Sequence, residues 1–286
     1  MNASKIICGL SAASLLGAVA LTGTVWAQGA PPAAPLPTGH GPSTQEWADL
    51  AKLPDWTGIW QPDVLDQNRQ ARENAYPWNL QAAAEIDKRI QLEKDGKPGG
   101  SHNSCLPWGM PGFMAITHNT IEILYTPGRI TILGELDGNN LRRIYTDGRK
   151  HPTDTDPTYH GHSIGTWRGA GQAATLDVDT TDILPEVEIA LSEGVGIPGG
   201  DGIHVVEHMH LTSPNILVDD MEITAPKVLT KPWKTTRLWH RQRAQKYDII
   251  EGVCLEGYFR PAKDKWGNEV FERIEHDVGG NRIPPK

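Results

Sequence analysis

Ile203-His204-Val205-Val206-Glu207-His208-Met209-His210-Leu211 is the stretch on which the reading of the fold turns. Its β-branched residues and the glycines before it predict a strand, and successive side chains of a strand point to opposite faces. One face then carries Ile203, Val205, Glu207, Met209 and Leu211, an apolar row with a carboxylate at its centre. The other carries His204, Val206, His208 and His210. Two readings of Glu207 stand. Burial among apolar neighbours disfavours its charged form and raises its pKa, which makes an acid or base that works near neutrality. Alternatively it is paired with a core arginine, and the histidines are surface residues.

The same alternation recurs on both sides of this stretch. Pro54 to Trp60 reads as a short aromatic strand, and Asn79 to Lys94 as an amphipathic helix that stops before Gly96 and Pro98. Thr120 to Thr126, Arg129 to Leu136 and Leu141 to Thr146 form an antiparallel meander, turned by Pro127-Gly128 and by the hairpin signal Asp137-Gly138-Asn139-Asn140. Further strands are expected at Thr175 to Thr180, Ile216 to Thr224, Trp233 to His240 and Tyr247 to Cys254. Between nearly all of these strands there is no helix long enough for a parallel crossover. The expected fold is therefore all-β with one N-terminal helix, an antiparallel β-barrel, with a two-sheet β-sandwich as the alternative.

Residues 1–27 hold one positive charge, Lys5, an apolar run from Ile6 to Val25 and the small-residue ending Val25-Trp26-Ala27. They read as a secretory signal peptide cleaved before Gln28, with an uncleaved anchor as the alternative. The expectation is a periplasmic or secreted protein with no integral membrane segment after processing. Residues 28–53 read as a Pro/Ala-rich linker, 54–258 as the barrel domain and 259–286 as a polar tail. The net charge of −8 shows no basic face, which argues against nucleic acid as a partner. Cys105 and Cys254 are the two cysteines beyond the leader, and in an oxidising compartment they pair most simply as a disulfide.

Two long loops break the short-turn pattern, and loops of this kind are usually functional or disordered. Asp147 to Gly165 holds His151, Asp154, Asp156, His160 and His162, more titratable groups than solvation requires. Thr181 to Gly202 is rich in glycine and precedes the Glu207 strand, where it is placed to act as a lid over the barrel mouth.

Cys105-Leu106-Pro107-Trp108-Gly109-Met110-Pro111, Arg143-Ile144-Tyr145-Thr146-Asp147-Gly148-Arg149 with His151-Pro152, Gly161-His162-Ser163-Ile164-Gly165 and His204-Val205-Val206-Glu207 together resemble a large family of uncharacterised exported bacterial proteins. The resemblance runs from about Trp56 to Cys254 and implies architecture more than activity. Gly58-Ile59-Trp60 also resembles the Gly-X-Trp strand of lipocalin-like barrels. The chain departs from the first pattern after Trp167, where Arg168-Gly169 replaces an acidic turn, and at His208, where the family usually has arginine.

Several chemistries can be weighed against these residues. The His-X-His pairs His160/His162 and His208/His210, with Asp154 and Asp156, offer ligands to a divalent metal, as in a metal-dependent hydrolase, but lack a tight zinc spacing. Ser163 lacks the elbow motif of a nucleophilic serine. Paired carboxylates, Glu207 with Asp156 or Glu222, would need a glycosidase-like separation. No nucleotide-binding glycine motif is present, so no cofactor is expected. Ten tryptophans, one of them in the leader, against three phenylalanines supply flat apolar walls for a small ligand.

The reading is a lipocalin-like barrel around a small, partly apolar or aromatic molecule. Glu207, His204, His162 and Asp156 are its candidate acid–base residues for a cofactor-free lyase, isomerase or hydrolase step. Trp60, Tyr145, Tyr159, His160, Met209 and Trp233 are its candidate ligand contacts. A carrier without turnover is the alternative.

Overall fold

The computed structural model describes residues 41–96, 106–115, 119–192, 194–244, 247–252, 259–263, 265 and 269–273. The segment Pro42–Lys286 forms one compact unit. The expected leader and the Cys105–Cys254 pair lie outside the described residues.

The first helix, α1 (Thr44–Asp49), starts in a capping box in which Ser43 and Glu46 satisfy each other's backbone N–H. Part of the stretch read as linker is thus helical. Strand β1 (Gly58–Pro62) follows, then α2 (Val64–Glu73) and α3 (Leu80–Lys94), capped by the side chains of Asp63 and Asn79. The second of these is the helix expected from the sequence. The first is not, because its residues are mostly polar and show no apolar stripe.

A single turn, α4 (Gly112–Ala115), precedes the strands β2 (Ile121–Thr126), β3 (Arg129–Gly134) and β4 (Leu141–Tyr145). The connection read as a tight hairpin between β3 and β4 is a helical turn, α5 (Leu136–Asn139). The chain continues through β5 (His162–Arg168), β6 (Thr175–Thr181), the short β7 (Glu188–Ala190) and β8 (Gly196–Pro198), then β9 (His204–Ser213), β10 (Ile216–Thr224) and β11 (Trp233–Gln242). Strands β12 (Phe259–Lys263) and β13 (Glu269–Arg273) pair as an antiparallel hairpin, so the stretch read as a tail contains regular structure.

Nine strands close into a barrel in the order β1-β11-β10-β9-β6-β5-β4-β3-β2, and closure removes the sandwich alternative. The barrel is mixed, not wholly antiparallel, because β4 and β5 run parallel. A parallel pair needs a crossover of about a dozen residues or more. Residues 146–161, the polar excursion between the two strands, supply that length. The expected strand from Tyr247 is absent over 247–252, and β11 is flanked by β10 on one side and by β1 and then helix α2 on the other. These residues dock on α5 instead, where the Asn139 side chain donates to Ile250 O and accepts from Gly252 N.

The alternation of β9 is as the sequence implies. Val205, Glu207 and Met209 are buried, while His204, Val206, His208 and His210 face outward. One end of the barrel is plugged by Trp56, Trp60 and Trp239, all fully buried, with Trp167 tilted against Trp56 at 4.9 Å. Trp60 donates its indole N–H to Trp56 O.

At the other end the wall is incomplete. Strand β1 stops at Pro62, opposite Trp239, so β11 from Trp233 to Leu238 has no strand on that side. Helix α2 covers this edge with its amides. Gln70 donates to Thr236 O and accepts from Thr236 N, and Asn74 donates to Lys234 O. Side-chain amides here replace a missing ladder, which otherwise leaves backbone groups open to pairing with another chain.

Candidate functional site

Inside the barrel lies a sealed polar layer. Arg142 and Glu207 are both shielded from solvent and meet through two hydrogen bonds, Arg142 Nη1 to Glu207 Oε1 at 2.8 Å and Nη2 to Oε2. The guanidinium also donates to Ser163 Oγ and Thr180 Oγ1. A fork that fits a carboxylate in this way is the strongest hydrogen-bonded ion pair available to side chains. Glu207 is therefore held by an arginine three strands away, the second of the two readings above in its geometry. Ser163 belongs to this network and is buried, with Thr180 Oγ1 2.8 Å away.

Asp219 completes the layer. It is fully buried, and neither carboxyl oxygen has a donor among the described residues. Burial, first, and the neighbouring charge of Glu207, second, raise its pKa well above that of an ordinary aspartate. Burial thus favours the protonated form of Asp219. The rule that singled out Glu207, an inward carboxylate between apolar inward neighbours, fits Asp219 between Leu217 and Met221 equally well. His160 lies near this layer, edge-on to Phe113 at 4.9 Å, with both ring nitrogens shielded and without a partner among the described residues. Burial, then Arg142, lowers its pKa to about 4, so the ring is neutral.

His151, His162, His204 and His208 lie on the outer wall. Gly161, at φ +64°, lets the chain turn between His160 inside and His162 outside; a Cβ there would lie 2.3 Å from Thr181 O. His151 joins His162, Nδ1 to Nδ1 at 3.0 Å, and Asp179 at 2.8 Å, while His204 holds the other Asp179 oxygen at 3.0 Å. Tyr145 stacks on His162 at 5.3 Å. His208 bonds Asp177 at 2.6 Å. Burial, then His151, lowers the pKa of His162. Among the described residues no three His, Cys, Asp or Glu side chains are placed to share a metal ion.

The third region is an open cavity of about 570 Å³ at the incomplete end of the wall, within the ordinary size range of small-molecule sites. Its apolar side is a stack of aromatic rings, Trp233 on Tyr76 at 3.8 Å and Tyr76 on Trp78 at 4.9 Å. The Tyr76 hydroxyl donates to Ala190 O, which fixes the ring against the β7–β8 ribbon, and burial pushes its pKa up to about 12. The polar side is made by Arg237 from β11 and Gln67 from α2. The glycine-rich loop expected near the mouth forms that ribbon, and Ala190, Leu191, Ser192 and Gly194 make one wall of the cavity.

The expected site residues thus separate into three places. Glu207 and Met209 are inside the barrel, and Trp60 belongs to the tryptophan plug. His204, His162 and Tyr145 are outside, so Glu207 and His204 do not meet across the strand that carries both. Asp156 is exposed in the crossover loop, and Tyr159 packs at the core edge, its carbonyl accepting from Met110 N. Of the expected contacts, Trp233 lines the cavity. Arg237, Gln67, Tyr76 and Trp78 are additional. Arg237 lies on the inward face of a strand read from the sequence, between Thr235 and Trp239, and that position was its available signal.

No protein-family model matches the chain, and comparison with curated proteins finds no match.

Proposed function

We propose that this is an exported carrier that binds one small, partly apolar or aromatic molecule at the mouth of its barrel, a lipocalin-like use of a closed β-wall. The observation that carries the reading is the cavity itself. Three stacked aromatic rings line it together with the buried guanidinium of Arg237 and the buried amide of Gln67, which has no hydrogen-bond partner among the described residues, the usual composition of a small-molecule site. Acid–base turnover through Glu207 has less support, since Glu207 is sealed in a pair with Arg142 and lines no part of this cavity.

Titration with the neutral aromatic fluorophore N-phenyl-1-naphthylamine tests the reading. Saturable enhancement is expected, together with its loss in Ala71→Trp, which fills the cavity from the exposed side of α2. Enhancement that never saturates, or that survives the filled cavity unchanged, would remove the pocket from the function.

A further inference from the structure

Gln67 and Gln70 lie one turn apart on one face of α2, and Asn74 caps the helix at its C-terminal end. Gln70 and Asn74 spend their amides on the open backbone of β11. Gln67 does not. It is 2 % exposed, and both its Oε1 and its Nε2 lack partners among the described residues. An unsatisfied buried amide costs about 1–3 kcal/mol, and a folded chain carries few of them without a reason.

Arg237 lines the same cavity and is 7 % exposed. Its Nε donates to Ala115 O at 3.0 Å, and its Nη1 to Thr235 Oγ1 and Thr236 O. Among the described residues no carboxylate reaches it in an ion pair and Nη2 has no hydrogen-bond partner. The carboxyl opposite it across the ladder is Asp219, which is turned into the sealed layer with its proton retained. Glu93 lies at the cavity's exposed rim, where its carboxylate accepts from Ser192 Oγ. A guanidinium keeps its charge in any protein environment. The cavity therefore contains a fixed buried cation and an unfilled amide, both beside an aromatic wall.

Resting on the carrier reading, we infer that the ligand is an organic anion, an aromatic carboxylic acid whose carboxylate accepts from Arg237 Nη2 and Gln67 Nε2 while its ring lies along Tyr76 and Trp233. Charge-assisted hydrogen bonds of this kind contribute more than neutral ones and give Arg its preference for carboxylates. The vacant Gln67 Oε1 favours acids with a hydroxyl or N–H donor on the ring.

Calorimetric titration of the full chain with 4-hydroxyphenylacetate, indole-3-acetate and the methyl ester of each separates the two levels. Each acid should bind about 10–100-fold more tightly than its ester, and Arg237→Gln should bring acid and ester together while leaving ester binding in place. The acid-to-ester ratio of the unaltered protein decides the matter even if that variant fails to fold. Esters that bind as well as the acids would overturn the anion while leaving the pocket standing. Absence of binding by all four would bring down the carrier reading and the anion together.

Discussion

Arg142 and Arg237 are both buried arginines on the inner face of one barrel, and the protein treats them in opposite ways. Arg142 has a carboxylate on its fork and two hydroxyls around it, with no accessible space beside it. Arg237 has backbone and hydroxyl acceptors for part of its donors, no carboxylate, and a cavity of about 570 Å³ in front of it. A buried charge costs several kcal/mol unless its environment compensates it. Where the compensation is complete, the charge belongs to the architecture. Where it is incomplete and faces open space, the missing counterpart comes from outside the chain. Burial alone therefore says little about function here, and saturation says much more.

The sharpest way to break this contrast is to remove each guanidinium in turn. Arg142→Met leaves the Glu207 carboxylate buried and uncompensated and should cost about 3–5 kcal/mol, measured by urea unfolding. Arg237→Met gives up hydrogen bonds to neutral acceptors but no ion pair among the described residues, leaves no buried charge behind, and should cost about 1–2 kcal/mol. Equal losses would show that Arg237 is as structural as Arg142.

The sealed layer can be sharpened through pH. Asp219 holds its proton more tightly in the folded state than in the unfolded chain. Stability therefore falls as pH rises above the unfolded carboxyl range, by about 1.4 kcal/mol per pH unit for one proton, until the folded pKa is passed. Asp219→Asn is nearly isosteric and has no titrating proton to lose. Its unfolding free energy, followed from pH 5 to pH 9, should lack that decline, and it should be the more stable protein at the alkaline end. A decline of the same slope in both proteins would assign the effect elsewhere.

The smallest effect belongs to the cavity. Gln67→Leu removes two unsatisfied buried atoms at nearly constant volume and should raise the stability of the unliganded protein by about 1–2 kcal/mol, read as a higher melting temperature. A lower melting temperature would mean that the amide already has the partners it needs.

How far the sequence foretells this molecule depends on the range of the interaction involved. Strand positions were legible wherever one face is apolar, as along β9, β10 and the β2–β4 meander, because a period of two is a local signal. Which inward carboxylate takes the arginine was not legible. Glu207 and Asp219 satisfy the same local rule, and what separates them is the ion pair with Arg142, on a strand more than sixty residues away from Glu207. The cavity was legible at Trp233 and at the glycine-rich loop that forms one of its walls. The part supplied by α2 was not, because its polar sequence looks solvated until the short β1 leaves an edge of β11 for it to cover. The fate of the strand expected after Tyr247 is also nonlocal, since residues 250 and 252 bond to Asn139, more than a hundred residues earlier.

An odd number of strands cannot alternate direction all the way around a closed ring. A nine-stranded barrel must therefore contain a seam, and in this protein the seam is β4 against β5, held by two residue pairs, Ile144 with Ser163 and Tyr145 with Ile164, the fewest of the nine junctions. Side chains stitch what the backbone leaves weak. Arg142 to Ser163 crosses the seam on the inside, and Tyr145 on His162 crosses it on the outside. The buried ion pair and the outer histidine cluster thus share a mechanical duty, because they sit where a circular wall of odd parity would otherwise unzip first.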